Sequence, residues 1–226
     1  MFLSNTHDLD QNYAWPLGGD FVSQVSDLTD LGVGFQNSLR FNNHIQTICN
    51  KARQKIFVLF KKFVTKDPKL LVQAYKTYVL PVLNYCSPIW SPHNVEEIHM
   101  LESVQRKFTK RLKGFEQLSY KERLDKSGLI CLELVRIKTD LLLCYKILHK
   151  LVKIEGAKLF VMDENRFSRG HGFKIRATRP RLDIGLYSYG YRVSNLWNNL
   201  SSNTVLSVSP KDFIRNLDDE DFELHI

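Results

Sequence analysis

Carboxylates and imidazoles that could bind metal ions are concentrated at two places in the sequence. Asp218 and Asp219 belong to a run of four consecutive acids, and such a pair can hold the metal ions of a phosphoryl-transfer enzyme where strands keep it rigid. No strand pattern flanks this run, and its like charges predict a solvated tail instead. His93 and His99 are six residues apart, so one helical face cannot present both. The sequence therefore predicts no catalytic residue, no metal site and no cofactor.

The motifs of other common enzyme classes are missing from the sequence. It contains no glycine-rich phosphate loop, no Gly-x-Ser-x-Gly nucleophile turn and no His-Glu-x-x-His pair. The four cysteines form no Cys-x-x-Cys pair, which argues against a zinc ribbon or a disulfide framework. The four are Cys49, Cys86, Cys131 and Cys144, and we expect most of them to be reduced residues of the core.

Basic residues are the chemical feature that the sequence does concentrate. The net charge of +8 is unevenly distributed, because residues 1–39 contain five acids and no Lys or Arg. Residues 40–113 contain fourteen Lys or Arg and only four acids. Such a local excess favours a polyanionic partner, so the predicted ligand is the backbone of RNA or DNA, with little sequence specificity.

The first basic cluster lies on a predicted amphipathic helix. From Phe41 to Phe63, apolar residues recur every three to four positions, which is the helical period. The cations lie mainly off this apolar stripe, where they could meet phosphates. The alternative is a merely solvated helix face. The candidate binding residues of this helix are Lys51, Arg53, Lys55, Lys61 and Lys62.

The second cluster lies at the C-terminal end of another predicted helix. The apolar positions of this helix run from Val95 to Leu112, and Gly114 is suited to the left-handed position after it. Cations at a helix C-terminus also compensate the helix dipole, so part of the cluster could be structural. Five cations exceed that need, which makes this the strongest predicted nucleic-acid patch. Its residues are Arg106, Lys107, Lys110, Arg111 and Lys113.

A third basic segment, residues 163–191, is rich in Arg, Gly, Ser and aromatic residues, which predicts a loop. Guanidinium groups form paired bonds with phosphate and stack on bases. The alternative is an ordered loop whose arginines bind helix ends. The candidate binding residues are Arg169, His171, Lys174, Arg176, Arg179 and Arg181.

Local signals predict a mainly α fold, a helical bundle preceded by a short β-hairpin. Gly18-Gly19 predicts a turn between strands. Two helix starts are predicted, one at Asp67 followed by Pro68 and one at Ser119 followed three residues later by Glu122. Pro81 predicts either a kinked buried helix or a loop over Leu80–Pro92, and of these we favour the helix. We also expect a central core helix over Leu132–Val152 and two terminal helices over Tyr191–Leu200 and from Ser209 onward.

No apolar run approaches the roughly 18 to 20 residues that span a bilayer, and Met1–Asp10 has no signal-peptide character. The prediction is an intracellular protein, nuclear or cytoplasmic, that is neither secreted nor transmembrane and has no membrane partner.

The order of several phrases resembles the reverse transcriptases of non-LTR (LINE-type, Jockey-like) retrotransposons. The phrases are Asp30–Phe35, Asp67-Pro68, Leu80–Pro92, Leu101–Lys110, Leu118–Leu124, Asp140–Leu148, Ser168–His171, Arg181–Asp183, Leu196–Asn198 and Ser209–Phe213. In that family the same series follows the polymerase palm and builds the thumb and the C-terminal domain. The aromatic-Ala-Asp-Asp hairpin that binds the metal ions of the palm is absent from this sequence.

The resemblance implies four regions. Residues 1–36 would be a remnant of the palm and primer-grip strands, with Thr29 where the family has a basic residue. Residues 37–114 would be a basic thumb-like helical region, 115–160 a core helical region, and 161–226 a basic loop-rich segment with terminal helices. The implied function is that of a non-catalytic C-terminal fragment of an RNA-directed DNA polymerase, which binds RNA or DNA and has the rest of a polymerase as a further partner. The alternative is an inert remnant or a host protein-interaction module without a nucleic-acid role.

Overall fold

The computed structural model describes residues 15–22, 25–156, 159–163, 171–176, 180, 185 and 188–225. These residues are mainly helical and begin with short β-hairpins, which confirms the predicted fold class. In chain order, the elements are β1 (Trp15–Leu17), β2 (Asp20–Val22), β3 (Asp27–Asp30), β4 (Val33–Gln36), α1 (Asn42–Lys62), α2 (Pro68–Tyr78), α3 (Leu80–Asn84), α4 (Ser87–Trp90), α5 (Val95–Lys110), α6 (Tyr120–Ser127), α7 (Leu132–Leu148), α8 (Tyr189–Asn199), α9 (Ser202–Val205) and α10 (Pro210–Asn216).

The N-terminal strands form two antiparallel hairpins. β1 pairs with β2 across Gly18 and Gly19, and β3 pairs with β4 across Leu31 and Gly32. All four turn residues have positive φ, the backbone conformation that two-residue hairpin turns require. The second hairpin packs on α1, where the imidazole Nδ1 of His44 accepts the N–H of Gly34 at 3.2 Å.

The first hydrophobic core joins α1, α2, α3 and α5. The apolar stripe of α1 is buried as its period predicts, and α2 begins where Asp67 was expected to cap it. The Asp67 carboxylate accepts the Lys69 N–H at 3.1 Å, and Pro68 occupies the first helical turn. Helices α1 and α5 run in the same direction. Arg53 of α1 reaches Ser103 of α5, and Phe60, further along α1, packs on Phe108, further along α5.

The segment Leu80–Pro92 differs from the single kinked helix that we expected. It forms two short helices, α3 and α4, separated by Cys86 in the left-handed conformation with φ 54°. The Trp90 indole N–H donates to the Tyr85 carbonyl at 2.7 Å, which turns α4 back into the core. Trp90 is 1% exposed, as expected for a core residue, whereas Tyr85 lies at the surface.

Helix α7 connects the two hydrophobic cores of the described residues. Leu132 at its start belongs to the first core, and Leu141 and Tyr145 belong to the second core with Trp197 and Phe213. This agrees with the central role predicted for the helix, although it ends at Leu148 rather than Val152.

The acidic run near residue 220 is only partly held against the fold. Asp218, Asp219 and Asp221 are exposed, as a solvated tail predicts, but two acids of the run make contacts. Asp218 forms an ion pair with Lys138 of α7. A Glu220 carboxylate oxygen accepts the Ser201 N–H at 3.0 Å and the Thr204 hydroxyl at 2.6 Å, which fixes the start of α9. Asp218 and Glu220 therefore each have a structural contact that their sequence context did not reveal.

Candidate nucleic-acid interface

The exposed face of α5 carries the predicted cations at its C-terminal end. Helical spacing places Ser103, Lys107 and Lys110 on one face, opposite buried residues such as Val104 and Phe108. Arg106 and Arg111 flank this face, and all these cations are exposed. We call this surface the α5 patch; it consists of Arg106, Lys107, Lys110, Arg111 and Lys113.

An aromatic ring positions one arginine of the patch. The Arg106 guanidinium lies 4.5 Å from the ring centroid of Tyr120 on α6, a cation–π geometry. The Tyr120 hydroxyl donates to the Glu102 carboxylate and accepts from the Gln105 side-chain amide at 3.1 Å. Tyr120 is thus fixed on both sides, so the platform under Arg106 is rigid.

The support extends inward as a buried hydrogen-bond network. Glu102 is fully buried and accepts the Leu132 N–H at 2.9 Å at the start of α7. Gln105 donates to the Ile130 carbonyl at 2.9 Å and accepts the Tyr75 hydroxyl at 3.2 Å. Burial raises the pKa of Glu102, while the hydrogen bonds from Tyr120 and Leu132 oppose that rise. The network ties α2, α5, α6 and α7 together beneath the patch.

A second aromatic platform joins the end of α1 to the α5 patch. The Arg111 guanidinium lies 4.0 Å from the ring centroid of Phe60, which itself contacts Phe108. Since α1 and α5 are parallel, Lys61 and Lys62 lie at the same end of the bundle as Arg111. The two basic clusters of the sequence therefore meet there.

The other predicted cations of α1 have different surroundings. Arg53 is half-buried and donates to Asn50 at 3.0 Å and to Ser103 at 3.5 Å, so it bridges α1 and α5. Lys51 and Lys55 are exposed and border a groove between α1 and the start of α3. The five candidate cations of α1 thus lie at three places: Arg53 between α1 and α5, Lys51 and Lys55 at the edge of the groove, and Lys61 and Lys62 at the end of the helix.

Helix-end carbonyls in this region are satisfied by cations outside the α5 patch. Lys126 donates to the Gly114 carbonyl and Lys76 to the Gly128 carbonyl, each at 3.0 Å. The ion pairs found among the described residues include no cation of the patch. Lys107 and Lys110 consequently remain available for an anionic partner.

The C-terminal basic segment is positioned by α8. His171 is buried, and its Nε2 lies 3.1 Å from the Trp197 carbonyl oxygen. Lys174 donates to the Asn198 carbonyl, and the Asn198 side chain exchanges two hydrogen bonds with the backbone of Ile175. Arg176 is exposed, whereas Arg169, Arg179 and Arg181 lie outside the described residues. His171 and Lys174 thus make the helix-end contacts that we considered as the alternative to phosphate binding.

Sequence reasoning missed the residues that support the patch. Phe60 was assigned to the apolar stripe of α1, and Tyr120 was only the residue after a capping serine. Glu102 gave no signal beyond its place in the phrase Leu101–Lys110. The contacts of these residues join different elements, so no local spacing reveals them.

Within the described ranges, no group of three His, Cys, Asp or Glu side chains could hold a metal ion. No helix of those same ranges is both long enough and apolar enough to cross a bilayer.

Part of this chain is similar to a curated protein. No protein-family model and no solved structure matches the chain. An uncharacterized protein of Caenorhabditis elegans is 28% identical over 104 residues, which are 45% of this chain and 52% of that protein. The chain thus spans about half the length of this curated relative. The similarity names no activity, so the resemblance to reverse transcriptases stays a prediction.

Proposed function

We propose that this chain binds the backbone of RNA or DNA through the α5 patch, with Lys61 extending the surface. The observation that carries the proposal is the set of exposed cations on one helix end, of which Arg106 and Arg111 are held on aromatic rings and Lys107 and Lys110 make no ion pair with described residues.

The arrangement suits phosphates because its arginines and its lysines have different roles. Arg106 and Arg111 stack on rings that limit their motion, so less side-chain entropy is lost when they bind. Lys107 and Lys110 act as mobile point charges that displace condensed counterions from the nucleic acid. This chemistry recognises the phosphate backbone and gives little preference for base sequence.

The resemblance to the thumb and C-terminal part of a non-LTR reverse transcriptase fits this function. A thumb holds nucleic acid without performing the chemical step, and the metal-binding motif of the palm is absent from this sequence. We therefore propose a binding role within the reverse-transcriptase family, with polymerisation outside the capacity of these residues.

Neutralising Lys107 and Lys110 tests the proposal. In the variant Lys107→Ala/Lys110→Ala, the salt slope for duplex DNA should fall by about 1.8, because each phosphate contact contributes about 0.9. Extrapolated from 1 M to 0.1 M salt, the same relation gives a loss of affinity of about 60-fold for two contacts. Fluorescence anisotropy over a salt series measures both quantities.

The matched control is Lys153→Ala/Lys211→Ala, which removes the same charge from two exposed lysines elsewhere on the chain. It should leave the slope unchanged within about 0.3, a third of one phosphate contact. Equal losses in both variants would show that only net charge matters and would overturn the assignment of the α5 patch.

A further inference from the structure

A groove of about 450 Å³ runs along the other side of α1 from α5. Lys51, Gln54, Lys55 and Val58 form one wall, with the spacing i, i+3, i+4 and i+7 that covers two helical turns. Tyr78 at the end of α2 and Val82 of α3 form the opposite wall, and Leu59 forms the floor.

Two of the apolar residues that line the groove are exposed. Val58 is 50% exposed and Tyr78 is 55% exposed, although both side chains face the same depression. Phe57, next to Val58 in the chain, is also largely exposed. Single exposed apolar residues need no explanation, but neighbouring ones in a concave surface are typical of an interaction site.

The rim of the groove is positive. Helical spacing places Lys62 on the same side of α1 as Lys51 and Lys55, and the ion pairs of the described residues include none of the three. From residue 42 to residue 94, Asp67 is the sole acid in the sequence, and it caps α2. Carboxylates of a partner would therefore meet cations that have no acidic neighbour along α1 to α4.

We propose that this groove binds an acidic amphipathic helix of a partner protein. Two large apolar side chains of that helix, about one turn apart, would fill the space between Val58 and Tyr78, as in helix-in-groove recognition. Glutamates or aspartates beside them would pair with Lys51 and Lys55. This role goes beyond the proposed nucleic-acid function and uses a different side of α1.

The lining favours a protein helix over a nucleic acid. Val58, Leu59 and Val82 are aliphatic and offer a volume to fill, whereas an unstacked base needs a flat aromatic platform. Tyr78 is the one aromatic residue among those that line the groove. A phosphate gains nothing from the aliphatic floor, so Lys51 and Lys55 are assigned to carboxylates rather than to phosphates.

A charge-swap experiment on the full chain tests the proposal. The probe is a fluorescein-labelled helical peptide with Leu and Phe one turn apart and flanking Glu residues; a second peptide has Lys in place of every Glu. The wild-type chain should bind the acidic peptide, and Lys51→Glu/Lys55→Glu should weaken that binding about tenfold or more while it gains affinity for the lysine peptide. Val58→Asp should abolish binding of the acidic peptide.

The control variant Lys107→Glu/Lys110→Glu should keep the acidic peptide and lose nucleic acid, so the groove and the α5 patch fail independently. Equal binding of both peptides by the wild-type chain would overturn the proposal. It would also be overturned if Lys51→Glu/Lys55→Glu lost binding of nucleic acid but kept binding of the acidic peptide. Sedimentation equilibrium adds a third contradiction: a wild-type dimer that Val58→Asp converts to monomer would assign the groove to a second copy of the chain.

Discussion

Tyr120 connects the stability of the bundle to the geometry of the α5 patch, and two substitutions separate these roles. Tyr120→Phe keeps the ring beneath Arg106 but removes the hydroxyl that donates to the buried Glu102 carboxylate. Loss of a hydrogen bond to a charged group costs about 1.5–3 kcal/mol of unfolding free energy. Gln105 keeps its bond to the Ile130 carbonyl, but its other amide N–H loses the Tyr120 oxygen as acceptor, which acts in the same direction.

The expected loss is therefore about 2 kcal/mol for Tyr120→Phe. With a urea dependence of about 2 kcal/mol per molar, the unfolding midpoint should fall by about 1 M. Urea titrations followed by circular dichroism measure the midpoint for both chains. A midpoint that shifts by less than about 0.25 M, equivalent to the ±0.5 kcal/mol of an ordinary surface substitution, would refute the contribution of this bond.

Binding distinguishes the second substitution. In conditions where both variants are folded, Tyr120→Phe should bind nucleic acid as the wild-type chain does, because the ring still supports Arg106. Tyr120→Leu removes the ring, and loss of an exposed cation–π contact of about 0.5–1 kcal/mol should weaken binding about two- to fivefold. Equal affinities for the Phe and Leu variants would show that the platform does not organise Arg106 for binding.

Two further predictions concern buried polar contacts. Burial lowers the pKa of His44, and its Nδ1 must be unprotonated to accept the Gly34 N–H. The contribution of His44 to the free energy of unfolding is therefore complete above the unfolded pKa of about 6.5. It is lost as pH falls below that value, by up to about 1.4 kcal/mol per pH unit, until the folded pKa is reached. His44→Asn should remove that component, so urea unfolding at pH 7.5 and 5.0 should show a smaller pH effect in the variant, and an identical effect would exclude His44. Asp140 is buried and accepts two hydrogen bonds from Arg192. Asp140→Asn should cost about 3–5 kcal/mol because it removes the charge of the buried member of this ion pair; a loss below about 1 kcal/mol, the range of an exposed pair, would contradict this reading.

Features set by neighbouring residues could be predicted from the sequence. The capping box of Ser119 and Glu122 is present in the structure, because its two hydrogen bonds join residues three apart. Asp67 and Pro68 begin α2 for the same reason: the missing proline N–H and the carboxylate acceptor act within one turn. The periodic burial of α1 was predicted equally well, since one face of a long helix must contact a core.

Features set by distant residues could not be predicted. The chain breaks at Cys86, where Trp90 bonds back to Tyr85, whereas the sequence favoured one kinked helix over this segment. The acidic run appeared solvated, yet Glu220 accepts the N–H of Ser201, which lies nineteen residues earlier in the chain, just before α9. The basic residues of the candidate site were identified from composition, but only the fold distinguishes Lys107, which makes no ion pair with described residues, from Lys174, which binds a backbone carbonyl.

The most direct test of the central claim is equilibrium binding of the wild-type chain to a labelled RNA–DNA hybrid, single-stranded RNA and duplex DNA across a salt series. If the α5 patch and the end of α1 contact four to six phosphates, the slope of log affinity against log salt should be about −4 to −5 for duplex DNA and about −3 to −4 for single-stranded RNA. Binding that is absent at low salt, or that does not change with salt, would contradict the account.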